Sequence, residues 1–267
     1  MYAKKRYGQH FLLPQWADKV VAAIGPRAED RFLEIGSGPG VLTQRLAPRV
    51  AHLTAVEVDQ EMVDLLTPDL PANVTLVHRD FLDTPVGWLA DGSEGPLRVA
   101  GNLPYNVSSP IMFRLIATYK QHGGLADATL MLQREVAERI EAGPGSKDYG
   151  VLSISVQLHA DVRRVLSLPP GAFRPAPKVH SSVIQLRFRP PAVALRDEAA
   201  FETMVRSMFT QRRKTLSNAL KPFASSRGSD AAAALGFAGI DPSRRPETLQ
   251  LDELARLADF FSPPKGA

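Results

Sequence analysis

The sequence predicts an α/β fold: a doubly wound, mostly parallel sheet with helices on both faces, followed by a small all-α domain. Three observations support this. Apolar runs of strand length alternate with helical patterns between residues 31 and 140, an order typical of parallel strands joined by crossover helices. A glycine-rich turn joins the first run to a helix, as in nucleotide-binding folds. Beyond residue 190 the apolar periodicity is helical only.

Composition indicates the domain organisation and excludes several kinds of site. The chain has 267 residues, 44% of them hydrophobic, which is enough for one large core and a smaller second domain. The proline-rich segment 189–192 is the best boundary, so we expect one domain at 1–190 and a helical domain at 191–267. The absence of cysteine excludes disulfides, thiolate zinc sites and cysteine nucleophiles. We expect no metal.

Charge and hydropathy limit the partners. The net charge is +4, and residues 201–221 alone carry +4, which favours an anionic partner for that segment. No apolar run approaches the roughly 20 residues of a membrane span. No apolar stretch of secretory type follows the basic residues at the start of the chain. We therefore expect a cytoplasmic protein without a membrane partner.

The chain opens with a basic and aromatic segment, Lys4-Lys5-Arg6-Tyr7-Gly8-Gln9-His10-Phe11-Leu12. It predicts either a solvated basic arm or a flap over a ligand that also contacts phosphate. A helical pattern through Val20, Val21 and Ile24 follows and stops at Gly25-Pro26.

The first predicted strand, residues 31–35, runs into the turn Gly36-Ser37-Gly38-Pro39-Gly40, and a helix begins at Val41. Glycines let the backbone approach a ligand closely, and the start of a helix offers free N–H groups. The second strand, residues 51–58, contains Glu57 near its end. A carboxylate about 20 residues after such a turn suits bidentate bonding to ribose hydroxyls.

Three further strands complete the predicted parallel part of the sheet. They are residues 73–77, a strand that ends at Asn102, and residues 127–132, with a helix at 134–140 after the last. Asp80, just beyond the first of these, would accept a hydrogen bond from the amine if the ligand of this edge contains adenine, or else would cap a helix.

The turn Asn102-Leu103-Pro104-Tyr105 is the stretch on which the functional prediction depends. Pro104 ends the preceding strand and holds Leu103 extended. The turn then offers an amide side chain, an unpaired carbonyl and an aromatic face at the edge of the sheet where α/β folds bind ligands. These groups match the exocyclic amine and the ring of adenine. The alternative is a proline turn with a tyrosine in the core.

After residue 150 the pattern changes. Residues 151–159 and 181–188 are rich in β-formers with no helical pattern between them. We expect an antiparallel hairpin at the sheet edge with a long, proline-stiffened loop at 166–178, and loops of that length are usually functional.

The long loop and the tail contain candidate contacts to bases and phosphates. The loop has an aromatic ring suited to base stacking and two cations suited to phosphate: Phe173, Arg174 and Lys178. The tail predicts helices at about 199–211, 213–223, 229–235 and 248–261, with a loop at 236–246. Cations of the tail would follow phosphates: Arg206, Arg212, Arg213, Lys214 and Lys221. A rigid connector and a solvated helix face are the alternatives.

The chemistry of the glycine turn favours a cofactor without phosphate. The turn departs from the dinucleotide pattern because Val41 stands where glycine or alanine is needed. Three carboxylates at strand ends, Glu34, Glu57 and Asp80, favour the cationic sulfonium of S-adenosylmethionine over a pyrophosphate. A nicotinamide-dependent dehydrogenase is the alternative and rests on the glycine turn alone.

Together these residues resemble the small-subunit (KsgA/RsmA) members of the ribosomal RNA adenine dimethyltransferase family. The matching stretches, in the family's order, are 7–12, 34–40, 57–59, 79–80, 101–106, 133–139, 149–150, 173–179 and 211–216. The resemblance implies a Rossmann-like class I methyltransferase sheet with S-adenosylmethionine as cofactor. It also implies that residues 1–190 form the S-adenosylmethionine-binding catalytic domain and that the helical domain at 191–267 binds RNA or the ribosome. The predicted cofactor contacts are His10, Leu12, Gly36, Gly38, Glu57, Asp80 and Asn102. His10 departs from the family's usual asparagine, although imidazole can still donate or accept.

By resemblance, we expect two methyl groups on N6 of each of two adjacent adenosines in a hairpin loop near the 3′ end of small-subunit rRNA, within an assembling small subunit. We expect a monomer. The catalytic residues would be Asn102, Leu103, Pro104 and Tyr105, with the Asn102 amide and the Leu103 carbonyl accepting from the amine and Tyr105 stacking on the base. Two alternatives stay open: a large-subunit methylase of the macrolide-resistance type, and a non-catalytic RNA-binding assembly or transcription factor.

Overall fold

A mixed seven-stranded sheet forms the framework of the computed structural model, which describes residues 8–85 and 95–262. The strands are β1 (Phe11–Leu12), β2 (Arg31–Ile35), β3 (His52–Glu57), β4 (Val74–His78), β5 (Leu97–Asn102), β6 (Leu125–Gln133), β7 (Ala160–Leu168), β8 (Phe173–Arg174) and β9 (Ser181–Phe188). The sheet has the order β4-β3-β2-β5-β6-β9-β7, and β1 pairs separately with β8.

Helices alternate with the parallel strands and then make up the end of the chain. Those of the described residues are α1 (Pro14–Ile24), α2 (Thr43–Leu46), α3 (Gln60–Leu66), α4 (Ser108–His122), α5 (Arg134–Glu141), α6 (Val151–His159), α7 (Glu198–Thr210), α8 (Leu216–Ala219), α9 (Lys221–Ser226), α10 (Ala231–Ala238) and α11 (Leu251–Asp259). The predicted class, an α/β sheet followed by a helical C-terminal part, is confirmed.

The order of the strands creates a crevice. Strands β4, β3, β2, β5 and β6 are parallel, and β9 runs antiparallel to β6. Strand β2 lies between β3 and β5, with Ile35 opposite Val56 on one side and Gly101 on the other. The chain therefore builds outward from β2 through β3 and β4, and then adds β5 and β6 on the opposite side. Such a reversal leaves a ligand-binding crevice at the carboxyl ends of the strands.

Helix α1 ends where the sequence predicts. Gly25 stops it in the left-handed conformation, with φ +60°, which glycine adopts without a Cβ clash. The buried face has helical spacing: Ala17, Val20, Val21 and Ile24. These side chains share one core with Phe32 and Leu53 of the sheet, so this end of the chain is anchored to the strands.

The chain divides into two compact units. One comprises the chain up to Ala137 together with Asp161–Phe188, and the other comprises Glu138–Ala160 and the chain from Arg189 onward. The second has its own hydrophobic core, which includes Tyr149, Phe201, Met204, Leu220 and Leu254. The predicted boundary after residue 190 lies next to the second junction, whereas residues 138–160 belong to the second unit although they fall within the first predicted domain.

The prediction of a strand at residues 151–159 is wrong, because this segment is helix α6. Its alternation of apolar and polar residues has a different cause. Ser153 Oγ donates to the Arg139 carbonyl at 2.6 Å, and Gln157 Nε2 donates to the Ile140 carbonyl at 2.8 Å. These carbonyls lie at the end of α5, where main-chain oxygens have no partner within the helix. Ser153 and Gln157 therefore face the preceding helix.

The predicted hairpin is also corrected. The strand next to β9 at the sheet edge is β7, not residues 151–159. The predicted loop at 166–178 begins within β7 and contains β8, which pairs with β1 in antiparallel register. This region is therefore partly ordered as sheet.

The helical tail is confirmed with different limits. Residues 213–223, predicted as one helix, contain a turn ending at residue 214 and then the two short helices α8 and α9. Pro222 lies in the first turn of α9, where it cannot continue a preceding helix. Gly236, the predicted start of a loop, lies inside α10, and Gly239 ends that helix with φ +66°.

Two expectations can be examined only within the described ranges. No helix there is both long and apolar enough to cross a membrane. The same ranges contain no group of three or more His, Asp or Glu side chains placed to hold a metal ion. The predicted basic residues Lys4, Lys5 and Arg6, and Tyr7 beside them, lie outside the described residues.

Candidate active site

A cavity lies at the carboxyl ends of β2 and β5, where the strand order reverses. The space it encloses, about 720 Å³, includes open solvent at its mouth. Three segments supply most of its lining: residues 8–12 ahead of α1, the glycine turn after β2 and the turn after β5. The sheet thus brings together the two turns that the sequence predicts to be functional.

The glycine turn is shaped by its backbone. Gly36 and Gly38 have φ values of +74° and +51°, in the left-handed region that side chains rarely adopt. A Cβ on Gly38 would lie 3.3 Å from the ring of Phe11. Because Gly38 lacks a side chain, Phe11 of the segment before α1 can lie directly against the turn.

Glu57, at the end of β3, is held by main-chain donors. Its Oε2 accepts from the Gly38 N–H at 2.7 Å, and its Oε1 accepts from the N–H groups of Val58 and Asp59, both at 2.9 Å. Burial raises the pKa of Glu57, and these hydrogen bonds oppose that rise. A carboxylate has about four lone-pair sites, so roughly one remains. Bidentate bonding to ribose, as predicted, would require a main-chain donor to move.

Glu34 lies in the wall of the cavity and is only 1% exposed. Burial raises the pKa of Glu34 to about 7, the neighbouring charge of Glu57 adds to the rise, and a hydrogen bond from Thr43 Oγ1 at 2.7 Å opposes it. The sequence marks Glu34 as a carboxylate at a strand end but gives no indication that it titrates near neutrality. Its pairing with Thr43 depends on how α2 packs on β2.

Asn102, the last residue of β5, has a defined orientation. Its Nδ2 donates to the main-chain carbonyl of His10 at 2.7 Å. Because a carbonyl can only accept, the amide nitrogen must face His10, and Oδ1 is the acceptor that the side chain offers elsewhere. Asn102, Leu103, Pro104 and Tyr105 all line the cavity.

Tyr105 is fixed at both its hydroxyl and its ring. The hydroxyl lies 2.6 Å from Ser181 Oγ at the start of β9. The ring stacks on the imidazole of His10, with centroids 5.2 Å apart and planes at 28°. Burial raises the pKa of Tyr105, although the Ser181 bond opposes this. The role of Ser181 could not be inferred from its local sequence, because it depends on the pairing of β9 with β6.

The segment before α1 crosses the cavity and is attached on both sides. Gln9 Nε2 donates to Asp59 Oδ2 at 2.9 Å. On the other side, Phe11 pairs with Arg174 and Leu12 with Phe173, through β1 and β8. Residues 8–12 therefore form a strap over the cavity, in agreement with the flap interpretation for this part of the segment.

Two predicted contacts lie elsewhere. Asp80 is exposed, is not part of the cavity lining, and accepts from the Leu82 N–H at 2.8 Å, which is the helix-cap alternative. Phe173 is 3% exposed and belongs to the core around α1. The prediction of an accessible stacking ring at a loop tip is therefore wrong, because pairing with Leu12 turns Phe173 into the core.

The predicted phosphate contacts fall in two places. Arg174, at the end of β8, and Lys178, in the chain between β8 and β9, are both exposed, and Pro175 between them lies beside His10. Five predicted cations belong to the helical unit: Arg206, Arg212, Arg213, Lys214 and Lys221. Arg213 and Lys214 are exposed in the turn between α7 and α8, and Arg212 donates to the Lys147 carbonyl at 2.6 Å.

Comparison with known proteins decides the family. The family model described as ribosomal RNA adenine dimethylase matches residues 1–262. The chain belongs to this family. It is therefore an S-adenosylmethionine-dependent ribosomal RNA adenine dimethyltransferase, as the sequence predicts, and the dehydrogenase interpretation is excluded.

Relatives of this dimethylase agree along almost its whole length. The ribosomal RNA small subunit methyltransferase A of Anaeromyxobacter sp. (strain K) is 45% identical over 264 residues, covering 96% of this chain and 92% of the relative. The protein of the same description from Syntrophotalea carbinolica is 43% identical over 278 residues, covering 97% of each.

Solved structures support the fold of the dimethylase. A dimethyladenosine transferase from Plasmodium falciparum superimposes with a TM-score of 0.74 over 93% of this chain and 96% of its own, at 24% identity. The 23S rRNA methyltransferase ErmE gives a TM-score of 0.67 over 93% and 98%, at 25% identity.

The cavity of this dimethylase suits S-adenosylmethionine. Its described lining includes the carboxylates Glu34 and Glu57 but no lysine or arginine, which disfavours a pyrophosphate and favours a cation. A Cβ on Gly36 would lie 3.8 Å from the Asn102 carbonyl oxygen, so the glycine leaves the space between the two turns open. Gly36, Gly38 and Glu57 are the residues that would hold the cofactor. When bound, S-adenosylmethionine supplies an electrophilic methyl group on a sulfonium.

Proposed function

We propose that this dimethylase modifies small-subunit rRNA, placing two methyl groups on N6 of each of two adjacent adenosines in a hairpin loop near the 3′ end. We further propose that it acts in the cytoplasm, as a monomer, on an assembling small subunit. The choice of subunit is supported by identity: the relatives described as small subunit methyltransferases are 43–45% identical to this chain, whereas the large-subunit enzyme ErmE is 25% identical.

The orientation of Asn102 is the observation that best supports catalysis by the turn after β5. An adenine amine has two N–H donors and a lone pair delocalised into the ring. Asn102 Oδ1 would accept one N–H, because its Nδ2 is already bonded to the His10 carbonyl. The main-chain carbonyl of Leu103 would accept the other. Two such bonds would favour a pyramidal nitrogen with its lone pair directed at the methyl group that S-adenosylmethionine supplies.

Tyr105 would stack on the extruded base. Its hydroxyl bond to Ser181 fixes the position of the far end of the side chain, and base–aromatic stacking contributes about 1–3 kcal/mol per base. Extrusion costs a few kcal/mol and costs least in a loop. Positioning by Asn102, Leu103 and Tyr105 would supply most of the rate enhancement. The amine proton can leave to water after transfer, so no general base is assigned.

Exposed cations would supply the phosphate contacts. Arg174 and Lys178 lie in the segment whose Pro175 contacts His10 at the cavity. The helical unit adds the basic turn of Arg213 and Lys214. Neither set distinguishes sequence, so we assign them to affinity for the RNA backbone.

The test uses labelled S-adenosylmethionine with small subunits and large subunits that each lack adenine dimethylation. We expect incorporation to approach two methyl groups on each of the two adenosines per small subunit, with none in large subunits. Incorporation only into large subunits would indicate a resistance-type methylase. Salt-sensitive binding to small subunits without incorporation would indicate a non-catalytic assembly factor.

A further inference from the structure

The side chain of His10 covers a face of Tyr105, the residue to which the proposed function assigns stacking on the target base. The two ring centroids are 5.2 Å apart with planes at 28°, a separation typical of rings in direct contact. A base cannot enter between rings at that distance. Stacking on this face of Tyr105 therefore requires the imidazole to leave.

A single described hydrogen bond holds the imidazole in this position. Nδ1 lies 2.7 Å from the main-chain oxygen of Pro175. Because that oxygen only accepts, Nδ1 carries the hydrogen. His10 is half-buried and Pro175 is exposed, so both partners can be solvated when the bond opens, and the net cost of breaking it is small.

The main chain of His10 is held independently of its side chain. Its carbonyl accepts from Asn102, its neighbour Phe11 pairs with Arg174, and Gln9 is bonded to Asp59. The imidazole can therefore rotate away while the strap stays in place and Asn102 keeps its orientation. Movement is confined to side-chain torsions.

We propose that the imidazole of His10 is a placeholder for the target base: it occupies the stacking face of Tyr105 in the free enzyme and is displaced when RNA delivers the adenine. The inference rests on the proposed function, because it takes Tyr105 as the stacking partner. A purine has a larger aromatic face than an imidazole, so the exchange gains stacking area. His10 is then a positioning residue that competes with the base and keeps the ring of Tyr105 packed in its absence.

The sign of the effect on the KM for small subunits tests the proposal. His10→Ala removes the competitor of the base. We expect the KM for undermethylated small subunits to fall roughly 3- to 10-fold, because the base no longer has to displace one ring stack and one weak hydrogen bond. His10→Phe restores a ring over Tyr105, and we expect it to return the KM to the wild-type value or above it. His122→Ala, an exposed histidine at the end of α4, is the matched control and should change nothing.

The outcomes separate the two levels of inference. If the wild type methylates small subunits but His10→Ala raises their KM or leaves it unchanged, the placeholder role is overturned. A change confined to the KM for S-adenosylmethionine overturns it as well and indicates a cofactor contact. If the wild type incorporates no methyl group into small subunits, the proposed function itself fails. Thermal denaturation of each variant identifies those that fold, and His10→Phe keeps the test valid if His10→Ala does not.

Discussion

At the residue scale, the direction of one amide determines what the site can do. Asn102 and His10 are far apart in the chain, and only the strap brings the His10 carbonyl within 2.7 Å of Asn102 Nδ2. This contact turns the amide nitrogen toward the strap and leaves Oδ1 as the acceptor for an amine. An asparagine free to rotate would present either end and would lose part of the benefit of preorganisation.

Asn102→Ala is the direct test of this role. Removal of the acceptor should lower kcat about 100- to 1,000-fold, by analogy with the loss of one preorganised hydrogen bond to a reacting group. Methyl incorporation into small subunits under saturating S-adenosylmethionine measures the effect. Asn218→Ala, on α8 in the helical unit, is the control and should retain normal turnover. Near-normal kcat in a folded Asn102→Ala enzyme would remove Asn102 from the mechanism.

Glu34 predicts a pH dependence of stability. Its pKa is raised from 4.5 to about 7, so the fold favours the protonated carboxyl. The contribution of Glu34 to the free energy of unfolding is fully present below pH 4.5 and is lost as the pH rises through 7. Since one pKa unit corresponds to about 1.4 kcal/mol, the loss is about 3 kcal/mol. The ligand-free wild type should therefore lose unfolding free energy between pH 4.5 and pH 8 relative to Glu34→Gln.

Urea denaturation of both proteins at several pH values measures this difference. Glutamine keeps the size of the side chain and can still accept from Thr43 Oγ1, so the comparison isolates the charge. Glu29→Gln, an exposed carboxylate, should follow the wild type across the same range. If the free energy of unfolding changes with pH in the same way for the wild type and Glu34→Gln, the pKa of Glu34 is not raised by folding.

At the element scale, the site depends on how closely β2 and β5 approach. Gly101 pairs with Ile35, and a Cβ on Gly101 would lie 2.7 Å from the Ile35 carbonyl oxygen. That atom belongs to the backbone and cannot rotate away. The glycine turn after β2 and the turn after β5 both begin within one residue of this pair. The absence of a side chain at Gly101 therefore sets the spacing between the cofactor cavity and Asn102.

Gly101→Ala should disturb stability and cofactor binding together. Forcing a methyl group into this contact should cost about 1–3 kcal/mol of unfolding free energy. We also expect weaker S-adenosylmethionine binding, because separation of β2 and β5 moves Gly36 away from Asn102. Urea denaturation and calorimetric titration measure the two effects. Gly143→Ala, where a Cβ would meet nothing within 4 Å, is the control; equal behaviour of the two variants would contradict the prediction.

At the scale of the whole molecule, the cavity and the basic segment 201–221 lie in different units. The cavity belongs to the unit that contains the sheet, whereas residues 201–221, with a net charge of +4, belong to the helical unit. RNA binding through phosphates is salt-dependent because each ion pair with a phosphate releases condensed counterions. Contributions of the helical unit should therefore appear in the salt dependence of RNA binding and not in kcat.

Neutralising the basic turn tests this division. The double variant Arg213→Gln/Lys214→Gln should raise the KM for small subunits and lower the slope of log affinity against log salt by about 1 for each phosphate that is no longer neutralised. Its kcat should stay normal. The double variant Lys19→Gln/Arg49→Gln removes two exposed cations from the other unit and serves as the control. An unchanged salt slope in the first variant would show that this turn is a solvated surface that makes no phosphate contact.

The sequence by itself determined the class of fold, the alternation of parallel strands and helices along the chain, and the positions of the two turns that line the cavity. Local rules suffice for these features, because strand length, glycine turns and Pro104 act within a few residues. The family followed from the same motifs in the same order. Local rules were misleading at residues 151–159. The alternation of apolar and polar residues there matches the period of a strand, but the segment is a helix in which Ser153 and Gln157 donate hydrogen bonds to carbonyls at the end of α5.

The tertiary structure decided which atoms of those residues are available. It buried Phe173 through the pairing of β1 with β8, made Asp80 a cap, filled most of the acceptor capacity of Glu57 with main-chain donors, and stacked His10 on Tyr105. Each of these outcomes depends on partners distant in sequence or on the conformation of a turn. Local patterns specify which residue types are present, whereas burial and hydrogen-bond partners depend on how the strands and the strap pack against one another.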